Sequence, residues 1–114
     1  MKAFYCKWFN LIAGTKYINP VKKFSSYFLS FESGARLELM QMEGIPASTN
    51  DILAQFTGLI HIAISVGSAE KVNSITEKMK QAGIEILGEP RLTGDGYYES
   101  VVADPEGNRI EITI

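Results

Sequence analysis

Apolar positions recur along the chain in two periods. Phe4, Trp8, Leu11 and Ile12 fall at i, i+4, i+7 and i+8, one face of an amphipathic helix, and Gly14 supplies a stop. Over 58–66 the pattern changes to alternation in "GLIHIAISV", which predicts a strand: Ile60, Ile62, Ile64 and Val66 lie on one side, His61, Ala63 and Ser65 on the other. Helical spacing returns in "SAEKVNSITEKMKQAG", with Ser68 as N-cap, Val72, Ile75 and Met79 on the apolar face, and Gly83 at the end. Three strands are predicted after it, at 84–87, 97–103 and 108–114, with "TGDG" and "DPEG" as the turns between the later ones.

The same order is written earlier in the chain. "SGARLELM" and "EGNRIEIT" both carry Gly-x-Arg-x-Glu followed by an aliphatic residue, offset by 73 residues, and both predicted helices end in Ala-Gly, offset by 69. The first helix is accordingly followed by strands at 15–18, 25–31 and 35–41. A chain of 114 residues is one ordinary domain, so the repeat means two related halves of one α+β fold. The first module spans 1–42, a linker spans 43–57, and the second module spans 58–114. Gly44, Pro46 and a Ser/Thr/Asn cluster mark the linker, in which Asn50 could cap a brief turn containing Ile52, Leu53 and Phe56. The second module reads strand, helix, strand, strand, strand. The first lacks its leading strand, because the counterpart of His61 falls before Met1 under either offset.

Composition narrows the class. Hydrophobic residues make up 46% and charged residues 21%, the balance of a soluble globular protein. A formal charge of −2 without a block of like charges recommends neither nucleic acid nor an anionic membrane as partner. Lys7 and Asn10 interrupt the apolar stretch near the start, which therefore does not read as a signal peptide. Cys6 is the single cysteine, which suits a reducing, cytoplasmic setting, and it reads as a half-buried helix thiol rather than a nucleophile.

Candidate chemistry follows from the alternation. In the last strand Ile110, Ile112 and Ile114 point one way and Arg109, Glu111 and Thr113 the other; in the repeat, Leu37 and Leu39 oppose Arg36, Glu38 and Met40. If the helices take the aliphatic faces, His61, Glu38 and Glu111 lie on surfaces the helices leave open. One imidazole and two carboxylates are compatible with a divalent ion, and equally with carboxylates paired to nearby Lys or Arg and a structural histidine.

The repeated units, "GLIHIAISV" with His61 and "DPEGNRIEI" ending in Glu111 resemble the vicinal oxygen chelate superfamily along the whole chain. That family includes glyoxalase I, bleomycin-resistance proteins, methylmalonyl-CoA epimerase and extradiol dioxygenases. The resemblance implies two βαβββ modules forming curved sheets around a site, with metal ligands on the first and last strands of each module. Carried onto this chain, the ligands are His61 and Glu111 from the second module and Glu38 from the first, the cofactor is a divalent Ni, Zn, Co or Mn, and Glu111 is the expected base. The implied activity is a glyoxalase I-like lyase or isomerase reaction on a small vicinal-oxygen substrate such as a thiol hemithioacetal, in which the metal polarises a carbonyl while a carboxylate removes the adjacent proton. A homodimer is also implied. Arg91, Tyr97 and Tyr98 could line the mouth of the site, the tyrosines equally being ordinary strand aromatics.

The resemblance leaves a fourth ligand, commonly His or Gln, on the absent leading strand. Either a start assigned too late or a short form accounts for that. A late start predicts an upstream β-rich segment with His or Gln about 8 to 13 residues before Met1. The alternative function is a metal-free small-molecule binder of the bleomycin-resistance type, with Trp8, Phe24, Tyr27 and Phe28 furnishing aromatic grooves. An extradiol dioxygenase needs two histidines and a carboxylate, which a single His61 does not supply.

Overall fold

The computed structural model describes all residues, Met1–Ile114. It divides into two compact units, Met1–Thr49 and Asn50–Ile114.

In the first unit, α1 (Lys2–Phe9) is followed by β1 (Ile12–Ala13), β2 (Tyr17–Asn19), β3 (Phe24–Ser30) and β4 (Arg36–Met42). Helix α1 stops four residues short of the expected Gly14, because Asn10 takes the left-handed conformation at φ 56. Short polar asparagine accepts that conformation more readily than most residues, so the helix ends there. The consequence is a different apolar face. Phe4 and Tyr5 are buried by the helix and Leu11 by the chain just beyond it, whereas Ile12 has left the helix and is 74% exposed. The expected strand at 15–18 is instead two short segments, β1 and β2, both antiparallel to β3. Strand β4 pairs with β3 alone, so its other edge is unpaired.

In the second unit, β5 (His61–Ser65) leads into α2 (Ala69–Gln81), then β6 (Ile86–Leu92), β7 (Tyr98–Ala103) and β8 (Arg109–Thr113). The Ser68 side chain accepts from the Lys71 N–H, as the N-cap position predicts, and Gly83 at φ 78 lets the chain leave the helix. The sheet order is β5-β8-β7-β6, with β5 parallel to β8 and the remaining pairs antiparallel. Strand β6 starts later and runs further than expected. Two register shifts, between Ile86 and Gly88 and between Gly88 and Arg91, carry it on to Leu92, and its place at the sheet edge tolerates Pro90.

The repeat seen in the sequence is a repeat of register. Glu38 sits opposite Phe28 and Glu111 opposite Val101; Met40 sits opposite Ser26 and Thr113 opposite Glu99. Every one of these pairs is displaced by the same 73 residues. Strand β5 has no counterpart within residues 1–49.

Helix α2 packs on β6, β7 and β8 and buries Val72 and Met79 against Val102, Ile110 and Ile112, none of which is exposed. Thr76, rather than the expected Ile75, is the third fully buried helix residue. Its hydroxyl donates to the Val72 carbonyl at 2.7 Å, so its lone pairs are left to accept from the Ser100 hydroxyl at 2.6 Å. Helix and sheet are thus tied by one polar contact inside an apolar interface. A valine at 76 preserves shape but strands the Ser100 hydroxyl, which costs about 1–3 kcal/mol. Chemical denaturation of Thr76→Val, Ser100→Ala and the double variant tests this: the double variant should be more stable than the sum of the single losses predicts, and strict additivity would contradict the coupling.

Candidate active site

The face of the second sheet turned away from α2 carries the titratable groups. Register puts His61 beside Arg109, and Ala63 beside Glu111, across the parallel β5–β8 pair. It puts Val101 beside Glu111, and Glu99 beside Thr113, across β7–β8. Alternation keeps His61, Glu99, Arg109 and Glu111 on this face while Ile62, Ile64, Ile110 and Ile112 take the helix side. His61 Nε2 lies 3.3 Å from Glu111 Oε2, a diagonal contact between positions two residues apart in the β5–β8 register. The imidazole is 39% exposed and the Glu111 side chain 20%.

A cavity of about 670 Å³ opens over this face, lined by His61, Glu111, Val101, Arg109, Gly88 and Arg91 among others. Arg109 shares the face, but its guanidinium is committed to the loop before β5. Its Nε donates to the Ile52 carbonyl and its Nη2 to the Ala54 carbonyl. Within that loop the Asp51 carboxylate accepts from the Leu53 N–H at 2.9 Å. Arginine at 109 therefore holds the wall of the cavity instead of entering its chemistry.

The structure places Tyr98 away from the mouth. Its hydroxyl donates to Asn73 Oδ1 on α2 at 2.9 Å, because position 98 shares the helix-side face with Ser100 and Val102. Tyr97 is exposed in the turn before β7. Glu38 lies on β4 in the first unit, exposed, opposite the Phe28 ring that Arg36 covers at 4.5 Å.

Glu99 is the residue that sequence reasoning missed. It is only 9% exposed, and Arg91 Nη2 approaches its Oε1 at 3.4 Å. Continuing the alternation of "YYESVVA" from Val101 back to Glu99 would have found it, since both flank the strand bearing Glu111. Burial pushes its carboxyl above the usual range, Glu111 and Asp95 push the same way, and Arg91 and His61 oppose them.

No three His, Cys, Asp or Glu side chains of the chain are grouped to hold a metal. The donor chemistry of the pair nevertheless fits one. An imidazole nitrogen and a carboxylate oxygen 3.3 Å apart can both reach a single ion at about 2.1 Å with a near-tetrahedral angle. His61 and Glu111 thus fit as two donors of a larger set.

The raised Glu99 carboxyl makes stability depend on pH in a defined direction. Its unfolded-state group ionises first, so folding loses stability as pH rises from about 4, where a free glutamate titrates, up to the higher folded value, and is level above it. Glu99→Gln removes that decline. Denaturation measured from pH 4 to 8 should show the variant gaining on the wild type as pH rises and then running parallel; a difference that shrinks with pH would contradict the assignment.

The family model described as Glyoxalase/Bleomycin resistance protein/Dioxygenase superfamily matches residues 1–112. No curated protein sequence matches the chain. Among solved structures, maize glyoxalase I is similar at 26% identity and a TM-score of 0.78, with 98% of this chain covering 38% of that one. The glyoxalase I of Leishmania major, described as trypanothione-dependent, is similar at 26% identity and a TM-score of 0.72, with 96% of this chain covering 73% of that one. A glyoxylase/bleomycin resistance protein/dioxygenase domain from Frankia sp. EAN1pec shares the fold at 15% identity and a TM-score of 0.80, over 99% of this chain and 84% of that one. The chain thus spans under two fifths of the maize enzyme's length. With a family model matching nearly its whole length and the α+β fold of two related sheets in common, the chain belongs to the glyoxalase/bleomycin resistance/dioxygenase, or vicinal oxygen chelate, superfamily.

Proposed function

We propose that the chain is a metal-dependent, glyoxalase I-like lyase or isomerase acting on a small vicinal-oxygen substrate such as a thiol hemithioacetal. The His61–Glu111 contact at 3.3 Å on the open face of the second sheet carries this reading. Glyoxalase I relatives from maize and Leishmania support the reaction class.

The residues of the chain have separable tasks in such a reaction. His61 and Glu111 are the donors for a divalent Ni, Zn, Co or Mn, with Glu38 as third from the same chain or a partner. When bound, such an ion supplies Lewis-acid polarisation of two adjacent substrate oxygens. Glu111 is the base, its carboxylate oxygen accepting the proton from the carbon next to the carbonyl and returning it to the neighbouring carbon. His61 Nε2, 3.3 Å from Glu111 Oε2, places the second donor beside that carboxylate. Val101 and Leu53, the latter in the 52–54 loop that Arg109 ties down, supply walls of the site.

A metal-free binder is the second reading, and the aromatic residues bear on it. Phe28 is 39% exposed beneath Arg36, an aromatic surface on the same sheet face as Glu38. Tyr27 lies instead beneath Lys2, and Trp8 beneath Lys7. Phe28 is thus the exposed aromatic of that face, where Phe24 lies half-buried beside Tyr17.

A homodimer is part of the proposal, supported by the unpaired edge of β4 and by exposed Ile12, Ile18 and Met40 in the first unit. No helix is long and apolar enough to cross a membrane. Two measurements check these proposals. Calorimetric titration with nickel, zinc, cobalt and manganese should show at least one ion bound by the wild type and at least tenfold weaker binding by a His61→Ala, Glu111→Ala variant, as expected for lost ligands; equal affinity would contradict the site. Light scattering at micromolar concentration should give twice the monomer mass, against which a monodisperse monomer would count.

A further inference from the structure

The segment 51–59 before β5 is fastened to the sheet by hydrogen bonds more than by packing. Ile52 alone within it is half-buried, and the other residues are exposed. Its internal bonds are local, from the Ala54 N–H to the Asp51 carbonyl and from the Leu53 N–H to the Asp51 carboxylate. The two bonds from Arg109 reach it instead across 57 and 55 residues of sequence. The Nε–H and one Nη2–H of a guanidinium form a rigid fork, and here the fork takes carbonyls two residues apart, those of Ile52 and Ala54. A lysine ammonium has no such fixed pair of donors. Gly58, at φ 115 in a region that side chains disfavour, lies between the latched residues and β5 and gives the segment a point to swing from.

The latch and the proposed base share a strand. Arg109 and Glu111 are two residues apart on one face of β8, and Arg109 is the register partner of His61. The fork therefore fixes the segment relative to both groups of the site, and it brings Leu53 and Gln55 to the lining of the cavity. Leu53 is still 68% exposed there. An isobutyl group at the wall of a cavity is apolar surface left for an occupant to bury.

We propose that residues 52–55 form a strap over the substrate cavity, with Arg109 as its positioning residue, Leu53 as the apolar contact it lays on a bound substrate, and release of the Arg109 fork as the step by which ligand enters and leaves. The proposal rests on the reading of this cavity as the substrate site, and not on which reaction follows there. A segment with little buried surface and two long-range bonds opens locally while the sheet beneath it stays intact. Motions of that kind gate entry and release at many enzyme sites.

The latch is tested first without metal or ligand, by hydrogen exchange of the full chain. Amides of residues 50–58 should exchange at least tenfold faster in Arg109→Met than in the wild type, as loss of two charge-assisted bonds provides. Arg109→Lys should recover a minor part of the protection, and α2 and β7 should exchange as before in both variants. Unchanged exchange at 50–58, or an equal rise throughout β5–β8, would overturn the latch. The nickel-loaded chain is then mixed with hexanohydroxamate, whose two adjacent oxygens suit a divalent ion and whose tail is apolar. Binding should slow exchange at 50–58 in the wild type, and Arg109→Met should both take up and release the hydroxamate faster, release rising at least tenfold. Leu53→Ala should weaken hexanohydroxamate about fourfold or more and leave acetohydroxamate unchanged, as burial of a methylene or more predicts. Equal rates in wild type and Arg109→Met, or equal effects of Leu53→Ala on the two hydroxamates, would overturn the strap and leave the proposed reaction standing. Uptake of neither hydroxamate would overturn the strap and the site together. Latch-dependent binding in a chain that turns over no hemithioacetal would uphold the strap and overturn the reaction.

Discussion

Parallel pairing between β5 and β8 is the constraint on which the candidate site depends. Parallel strands need a crossover, and α2 provides it, leaving one face of the sheet covered and the other open. Because side chains alternate, the register that sets Ile62 beside Ile110 and Ile64 beside Ile112 under the helix also sets His61 and Glu111 together on the opposite face. A slip of one residue would bury the imidazole and the carboxylate and expose the isoleucines. The apolar core thus enforces the polar contact.

The two units use one register with different contents. Position for position, Glu38 matches Glu111, Phe28 matches Val101 and Ser26 matches Glu99. In the second unit these places hold two carboxylates flanking Val101, with His61 of β5 and a cavity beside Glu111; in the first they hold one exposed glutamate, Phe28 and a buried Ser26. Duplicated backbone geometry with diverged side chains is how one fold comes to carry many activities. It is also why membership of the superfamily does not by itself name a substrate.

Much of this was legible in the sequence because it rests on alternation and caps. Strands β3, β4, β7 and β8 and helix α2 lie within two residues of their expected bounds, and the facing of His61 and Glu111 followed from period-two spacing. What escaped rests on irregular backbone. Asn10 ends α1 early through a left-handed conformation that competes with an uninterrupted helical pattern, and so removes Ile12 from the face it was assigned. The bulges of β6 break the alternation that would have placed Arg91 opposite Glu99. Glu99 was within reach of the same alternation argument, but its burial depends on the fit of β6 over β7, which is a tertiary matter.

The central claim is that His61 and Glu111 act as a pair of ligands rather than as an isolated surface ion pair. X-ray absorption of the nickel-loaded chain measures this most directly, because an imidazole ligand has multiple-scattering features that carboxylates and water lack. The account predicts one imidazole in the first coordination shell of the wild type, its loss in His61→Ala, and its retention with an altered oxygen shell in Glu111→Ala. A spectrum with oxygen neighbours only, unchanged by the removal of His61, would contradict it.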